Sequence, residues 1–230
     1  MTQPLIGLIA LNRDQVVEED MHTLLGSTGT VLTTRIPLES VGSVAALGAL
    51  EKHLAAASAL LPAGPDDVVA FACTSGVAVI GSDTIEQRVT EGRPGARVAN
   101  PLEGIRLGME ALSAKRAALV TPYGPEVTGR IVEWLEEHGI TIIAETRLDG
   151  PYRHYADIPP HTIGEVAIEM GHGAEAILIA CTDLRAISVI DEVEAAIGIP
   201  VLTSNQALAW SICRELDIPS PGPGRLFRSR

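Results

Sequence analysis

Two cysteines stand at matching places in this chain. Cys73 follows an apolar run in 68–74 (VVAFACT), and Cys181 follows another in 176–182 (AILIACT), 108 positions later. Open parallel sheets bind ligands beyond the carboxyl ends of their strands, so both thiols are expected at such an end. Two thiols facing each other across one cleft can act on carbon in two ways. One thiolate can take a proton from one face while the opposite thiol delivers a proton to the other, which inverts a stereocentre. With an alkene, a thiolate can add to the double bond, let the resulting single bond rotate, and leave again. Thr74-Ser75-Gly76 and Thr182-Asp183 follow the two cysteines and are expected to open helices. Their N–H groups would then favour a thiolate and cradle a carboxylate. Asp183 opposes ionisation of its neighbour, which makes Cys181 the protonated acid and Cys73 the nucleophile or base. Cys213, inside the helical pattern LAWSICREL, reads as a packing residue.

The elements that must position these thiols alternate along the chain. Apolar runs at 5–11, 30–34, 67–72, 96–99, 117–121, 140–145, 175–180 and 200–203 read as strands covered on both faces. Helical patterns lie near 15–25, 43–60, 83–90, 102–113, 125–138, 162–171, 187–197 and 205–215. The tail 219–230, rich in Pro and Gly, reads as extended or loosely ordered. This order predicts an α/β fold with parallel sheets. The strand–helix sequence of 5–35 recurs at 117–147, an offset close to that between the cysteines. Two pseudo-symmetric lobes are therefore expected, 1–113 and 114–230, each a mostly parallel four-stranded sheet flanked by helices, with the active site between them. The last helix and tail are free to pack back on the first lobe.

Composition removes several classes of function. The 230 residues carry a net charge of −12, which disfavours nucleic acid and anionic membranes as partners. An anionic substrate must then be captured locally, against the overall field. No apolar run reaches the length of a membrane span, and no signal peptide opens the chain, so a cytoplasmic setting with free thiols is expected. The six histidines form no HxH or HExxH pair, so no metal is expected. The two lysines, Lys52 and Lys115, lie away from the expected site, which argues against pyridoxal phosphate. The expected partner is a small carboxylate, with a homo-oligomer left open.

The segments 73–81 (CTSGVAVIG), 180–186 (ACTDLRA) and 203–210 (TSNQALAW), with Tyr123 in Thr121-Pro122-Tyr123, resemble the aspartate/glutamate racemase superfamily. Within it they are most similar to the maleate cis–trans isomerase and arylmalonate decarboxylase group. The resemblance covers almost the whole chain and implies two pseudo-symmetric lobes, no cofactor, and a substrate contact from Tyr123. Maleate isomerases carry an Asn after the first strand; the best match here is Asp14, in Asn12-Arg13-Asp14. An Asp there would repel a second substrate carboxylate, or would bind an amine or the neutral part of a substrate. The loop 150–157 (GPYRHYAD) also lacks an expected Asn, and both departures look closer to the ectoine-utilisation branch. Arylmalonate decarboxylases keep only the second cysteine, so Cys73 argues against that activity. The reading is a cofactor-independent two-cysteine isomerase of a small carboxylate or dicarboxylate. An amino-acid racemase or an ectoine-degradation enzyme is the alternative. A decarboxylase or a non-catalytic binding protein stands behind these. Substrate contacts are expected from Asp14, Thr74, Ser75, Tyr123, Thr182 and Asp183, with Asn12 and Asn205 as further candidates, and a loop role on the surface for His154.

Overall fold

A computed structural model describes residues 3–62, 67–219 and 221–229. All eight expected strands form. One sheet takes β1 (Leu5–Leu11), β2 (Thr30–Ile36), β3 (Val68–Ala72) and β4 (Arg97–Ala99), in the order β2-β1-β3-β4. The other takes β5 (Arg116–Thr121), β6 (Thr141–Arg147), β7 (Ala176–Ile179) and β8 (Val201–Thr203), in the order β6-β5-β7-β8. Every pairing is parallel. The two orders are the same, so β3 and β7, which lead into the two cysteines, hold equivalent places. Both strands are buried along their whole length, as their unbroken apolar runs require.

The helices are α1 (Val17–Leu25), α2 (Val44–Gly48), α3 (Glu51–Ala59), α4 (Thr74–Ile80), α5 (Ser82–Gly92), α6 (Pro101–Ala111), α7 (Pro125–Glu137), α8 (Pro160–Met170), α9 (Ile190–Ile197), α10 (Ser204–Glu215) and α11 (Gly224–Arg228). Two of them tie the sheets together. Leu208, Ala209, Ile212 and Cys213 of α10 join the core formed by β1, β3 and α1. Cys213 is thus the packing residue it was read to be, 1% exposed. Gly108 of α6, in turn, faces Leu202 of β8 and Leu226 of α11. Where α6 crosses α10 the backbones touch: a Cβ at Gly104 would lie 2.6 Å from the Ala207 carbonyl oxygen.

Three local expectations are corrected. The long helix near 43–60 is two helices, because Leu50 and His53 close i→i+3 bonds to Leu47 and Leu50 and turn the buried Leu50 inward. The tail is not wholly extended. Glu194, buried in α9, accepts the Arg225 N–H at 2.9 Å and ion-pairs with Arg228 at 3.2 Å, and this holds α11 with Leu226 fully covered. Ser220 and Arg230 of that tail lie outside the described residues. Finally, no helix opens after Cys181. The chain turns through 182–186 and a short 3₁₀ turn, Ile187–Val189, before α9 starts. Among the described residues no helix is long and apolar enough to cross a membrane.

Candidate active site

One cavity of about 160 Å³ lies at the carboxyl ends of the strands and receives both thiols, Cys73 and Cys181. β1 delivers Leu11 and, just beyond it, Asp14. β3 delivers Cys73, β5 leads to Tyr123, and β7 leads to Cys181, Thr182 and Asp183. The loops after β2 and β6 supply opposite walls: Leu38 and Val41 from one, and the run Tyr152 to Tyr155 from the other.

Hydrogen bonds between the two halves bring the cysteine segments together. The Thr182 hydroxyl donates to the Ala72 carbonyl at 3.4 Å, so the residue after one cysteine touches the residue before the other. The Gln15 N–H donates to Asp183 Oδ1 at 2.8 Å and joins the loops after β1 and β7. The side chain of Cys73 caps α4, with the Gly76 N–H donating to its sulfur at 3.2 Å and the Ser75 hydroxyl 3.7 Å away. The Tyr123 hydroxyl lies against the Cys181 thiol and Ser75. Its ring meets Tyr155 edge to face at 5.6 Å.

Burial sets the electrostatics of this cavity. Cys73 is pushed up to about 11 by burial, which outweighs the donors from Ser75 and Gly76. Burial thus opposes, at both sulfurs, the thiolate that a helix start favours. Cys181 is raised well above the ordinary thiol value, by burial first, with Asp183 and Asp14 adding repulsion against the Tyr123 hydrogen bond. Tyr123 is likewise raised by burial and the nearby sulfurs. Asp183 is pushed to about 7, by burial first and by Asp14. Asp14 is raised by burial against two backbone hydrogen bonds.

Of the residues singled out from sequence, Asp14, Cys73, Ser75, Tyr123, Cys181, Thr182 and Asp183 line the cavity together. Three others spend polar atoms on protein partners, although the buried Asn205 Oδ1 has none among the described residues. Asn12 Oδ1 accepts the Leu38 N–H at 3.0 Å and so fixes the loop that brings Leu38 to the cavity. Thr74 shares a 2.7 Å hydrogen bond with Ser204 of α10. Asn205 donates to Asp20 at 2.7 Å and to the Thr182 carbonyl at 2.8 Å. These three stand behind the lining rather than in it. His154 lines the cavity, beside Arg153 and Tyr155. Leu11, Arg13, Leu38, Val41 and Tyr155 escaped the sequence reading. Proximity to Asp14 could have pointed to Leu11 and Arg13, and the loop 150–157 contains Tyr155, but nothing in the sequence pointed to Leu38 or Val41. Among the described residues no cluster of His, Cys, Asp or Glu is arranged to hold a metal ion.

Known proteins share this architecture over its full length. A maleate isomerase of Nocardia farcinica is 29% identical, with 97% of this chain and 95% of that protein covered. An arylmalonate decarboxylase of Bordetella bronchiseptica is 30% identical over 52% of this chain and 53% of its own. A solved structure of the Nocardia farcinica maleate cis-trans isomerase, a cysteine-to-serine variant with a covalently bound succinylcysteine intermediate, superposes with a TM-score of 0.81 at 25% identity, covering 98% of both chains. A model of the arylmalonate decarboxylase family matches residues 50–227, well over half the chain, and this chain belongs to that family.

Proposed function

We propose that this chain is a cofactor-independent cis–trans isomerase acting on a small unsaturated carboxylate of the maleate type. The reading rests on one observation above the others: two cysteine side chains open into a single small cavity that Tyr123 joins. At about 160 Å³ the cavity suits a molecule smaller than a drug-sized ligand. The similarity to a maleate isomerase over 97% of the chain favours the alkene route over decarboxylation, since both cysteines are present.

In this reading Cys73 passes its proton to solvent water as the substrate enters, and its sulfur bonds to one alkene carbon. The π pair moves to the neighbouring carbon and spreads into the carboxylate attached there, where Ser75, Tyr123 and Thr182 offer donors. The Cys181 thiol lends a proton to that carbon, the single bond rotates, and Cys181 takes the proton back. The pair then returns, the C–S bond breaks, and the Cys73 thiolate regains a proton from solvent. Each lobe, divided near residue 113, supplies one thiol, and free thiols fit a cytoplasmic setting.

Maleate incubated with the protein in heavy water and followed by proton NMR tests this. The trans isomer is expected, with Cys73→Ser slowing its formation at least about 100-fold. A Cys73 peptide carrying one substrate molecule should be trapped by acid quench. No trans product from maleate or its substituted analogues overturns the reading. Deuterium entering the α-carbon of an amino acid, without alkene turnover, replaces it with racemisation.

A further inference from the structure

Asp14 is half satisfied. Its Oδ1 accepts the Val16 and Val17 N–H groups at 2.9 and 2.8 Å, at the start of α1. Its Oδ2 is buried and has no hydrogen-bond partner among the described residues, although the side chain, 5% exposed, lines the cavity. The charged and titratable groups that face it do not neutralise it. Arg35, from β2, spends Nη1 on the Leu11 and Asp14 backbone carbonyls and Nη2 on Glu18 of α1. Asp20 of α1, Asp183 from the loop after β7, and the thiols Cys73 and Cys181 all lie within electrostatic reach. Arg13 is adjacent in sequence but exposed. An ionised Asp14 would hold its charge on an unpaired oxygen, out of water, among other acids, and would face an incoming anion.

A neutral carboxylic acid resolves each of these conflicts. The carbonyl-like Oδ1 keeps both N–H bonds, and the acid O–H becomes a donor free to meet a ligand, as a side-chain amide would be. We propose that Asp14 binds the substrate as a carboxylic acid, donating its Oδ2–H to an oxygen of the substrate carboxylate, so that the anion enters together with a proton. This deepens the isomerase reading and rests on it only for the substrate's being a carboxylate. It excludes the ionised Asp14 that an ammonium-binding site would need. Burial acts in the same direction, raising Asp14 against its backbone donors, the nearby Thr182 hydroxyl and the charge of Arg35.

Succinate and malonate, which have no alkene to react, serve as probes in titration calorimetry of the full chain. Measurements run between about pH 6.5 and 9, where the ligands are ionised, in buffers of different protonation enthalpy. Affinity is expected to fall toward tenfold per pH unit once the free protein loses the Asp14 proton, with up to one proton taken up per ligand there. Asp14→Asn offers the same donor without titration, so binding should lose this slope and the proton uptake. Asp14→Ala removes the donor and should weaken binding about tenfold to a hundredfold at the lower pH. Asp183→Asn removes the other carboxylate of the cavity, and the slope must survive it. A slope that persists in Asp14→Asn overturns the proposal, as does failure of both probes to bind at pH 6.5. Tight binding of aspartate that Asp14→Asn abolishes, without proton uptake, overturns it in favour of an ammonium site. Absent maleate turnover with proton-linked binding intact overturns the isomerase reading alone.

Discussion

The resting state of Cys73 can be tested by alkylation. At 2% exposure and with its thiol pushed up to about 11, Cys73 should be a poor nucleophile in the unliganded protein, although Gly76 and Ser75 point donors at it. A free cysteine titrates near 8.5, so at neutral pH the thiolate fraction here is lower by about 300-fold. A more basic thiolate is intrinsically more nucleophilic, and that returns a factor of about 10 to 18. Net alkylation should therefore be at least about 20-fold slower than in a cysteine peptide, before restricted access slows it further. The assay is iodoacetamide labelling of the native protein at several pH values, read by peptide mass spectrometry. Cys73, with donors from Gly76 and Ser75, should react ahead of Cys181, whose ionisation the adjacent Asp183 opposes, and the Cys73 rate should keep climbing tenfold per pH unit past pH 9. Labelling of Cys73 at pH 7 within a factor of about three of the peptide, or a rate profile that bends near 8.5, would refute the argument that burial outweighs the helix-start donors.

Stability should fall as pH rises from about 5 to 8. Asp20 and Asp183 both titrate near 7 in the fold against roughly 4 when unfolded, so their stabilising share is complete below pH 4 and lost as the pH passes 7. The lowered carboxylates Glu18 and Glu175 finish titrating below this window, so a melting temperature that rises between pH 5 and 8 contradicts the assignment. Asn205→Leu should cost about 2–4 kcal/mol in urea unfolding, since it strips hydrogen bonds from the buried Asp20 and from the Thr182 carbonyl; an unchanged midpoint would refute that. Gly104→Ala should cost about 1–3 kcal/mol, because its Cβ meets the Ala207 backbone. Gly129→Ala, with open space at the same atom in α7, should instead gain up to about 1 kcal/mol, and equal effects at the two sites would disprove the helix-crossing account.

The frame was legible because its signals are strong and local. VVAFA and AILI are unbroken apolar runs, which only a strand buried on both faces uses at that length, and the repeated Ala-Cys-Thr marked equivalent strand ends. What escaped depends on contacts distant in sequence. The helix TSGVAVI, foreseen only at its first three residues, is poor in helix formers and is held by Cys73 and by the Thr74–Ser204 bond to α10. The tail helix exists because Glu194, one acid among several in IDEVEAAI, is buried beneath it. The site shows the same division. Chemistry-bearing types near the cysteines could be listed from sequence. Which polar groups the protein itself consumes could not, so Asn12, Thr74 and Asn205 looked as available as Asp14 and Ser75. The walls Leu38, Val41 and Tyr155 come from loops that have no periodicity to read.

The net charge of −12 posed a question that the cavity answers in an unexpected way. Helix N-termini were the expected means of holding an anion, yet only Cys73 stands at one, and the segment after Cys181 is a turn. Cationic side chains do not fill the gap inside, because Arg13 and Arg153, which border the cavity, are both exposed. Every acid that lines it and shows a shift is instead pushed toward its neutral form: two thiols, two phenols and two carboxyls. Neutral acids are donors, and donors are what a carboxylate needs. A site so built repels an anion less than its composition suggests, and it keeps its nucleophile masked until something occupies the cavity. The same burial that makes Cys73 slow toward alkylating reagents therefore makes Asp14 able to donate. The two should fail together in any variant that admits water to the cavity: Leu38→Ala or Val41→Ser, opening the wall after β2, should speed alkylation of Cys73 and shift the proton-linked binding of succinate to lower affinity at neutral pH. A variant that speeds one and leaves the other untouched would separate two effects here assigned to a single cause.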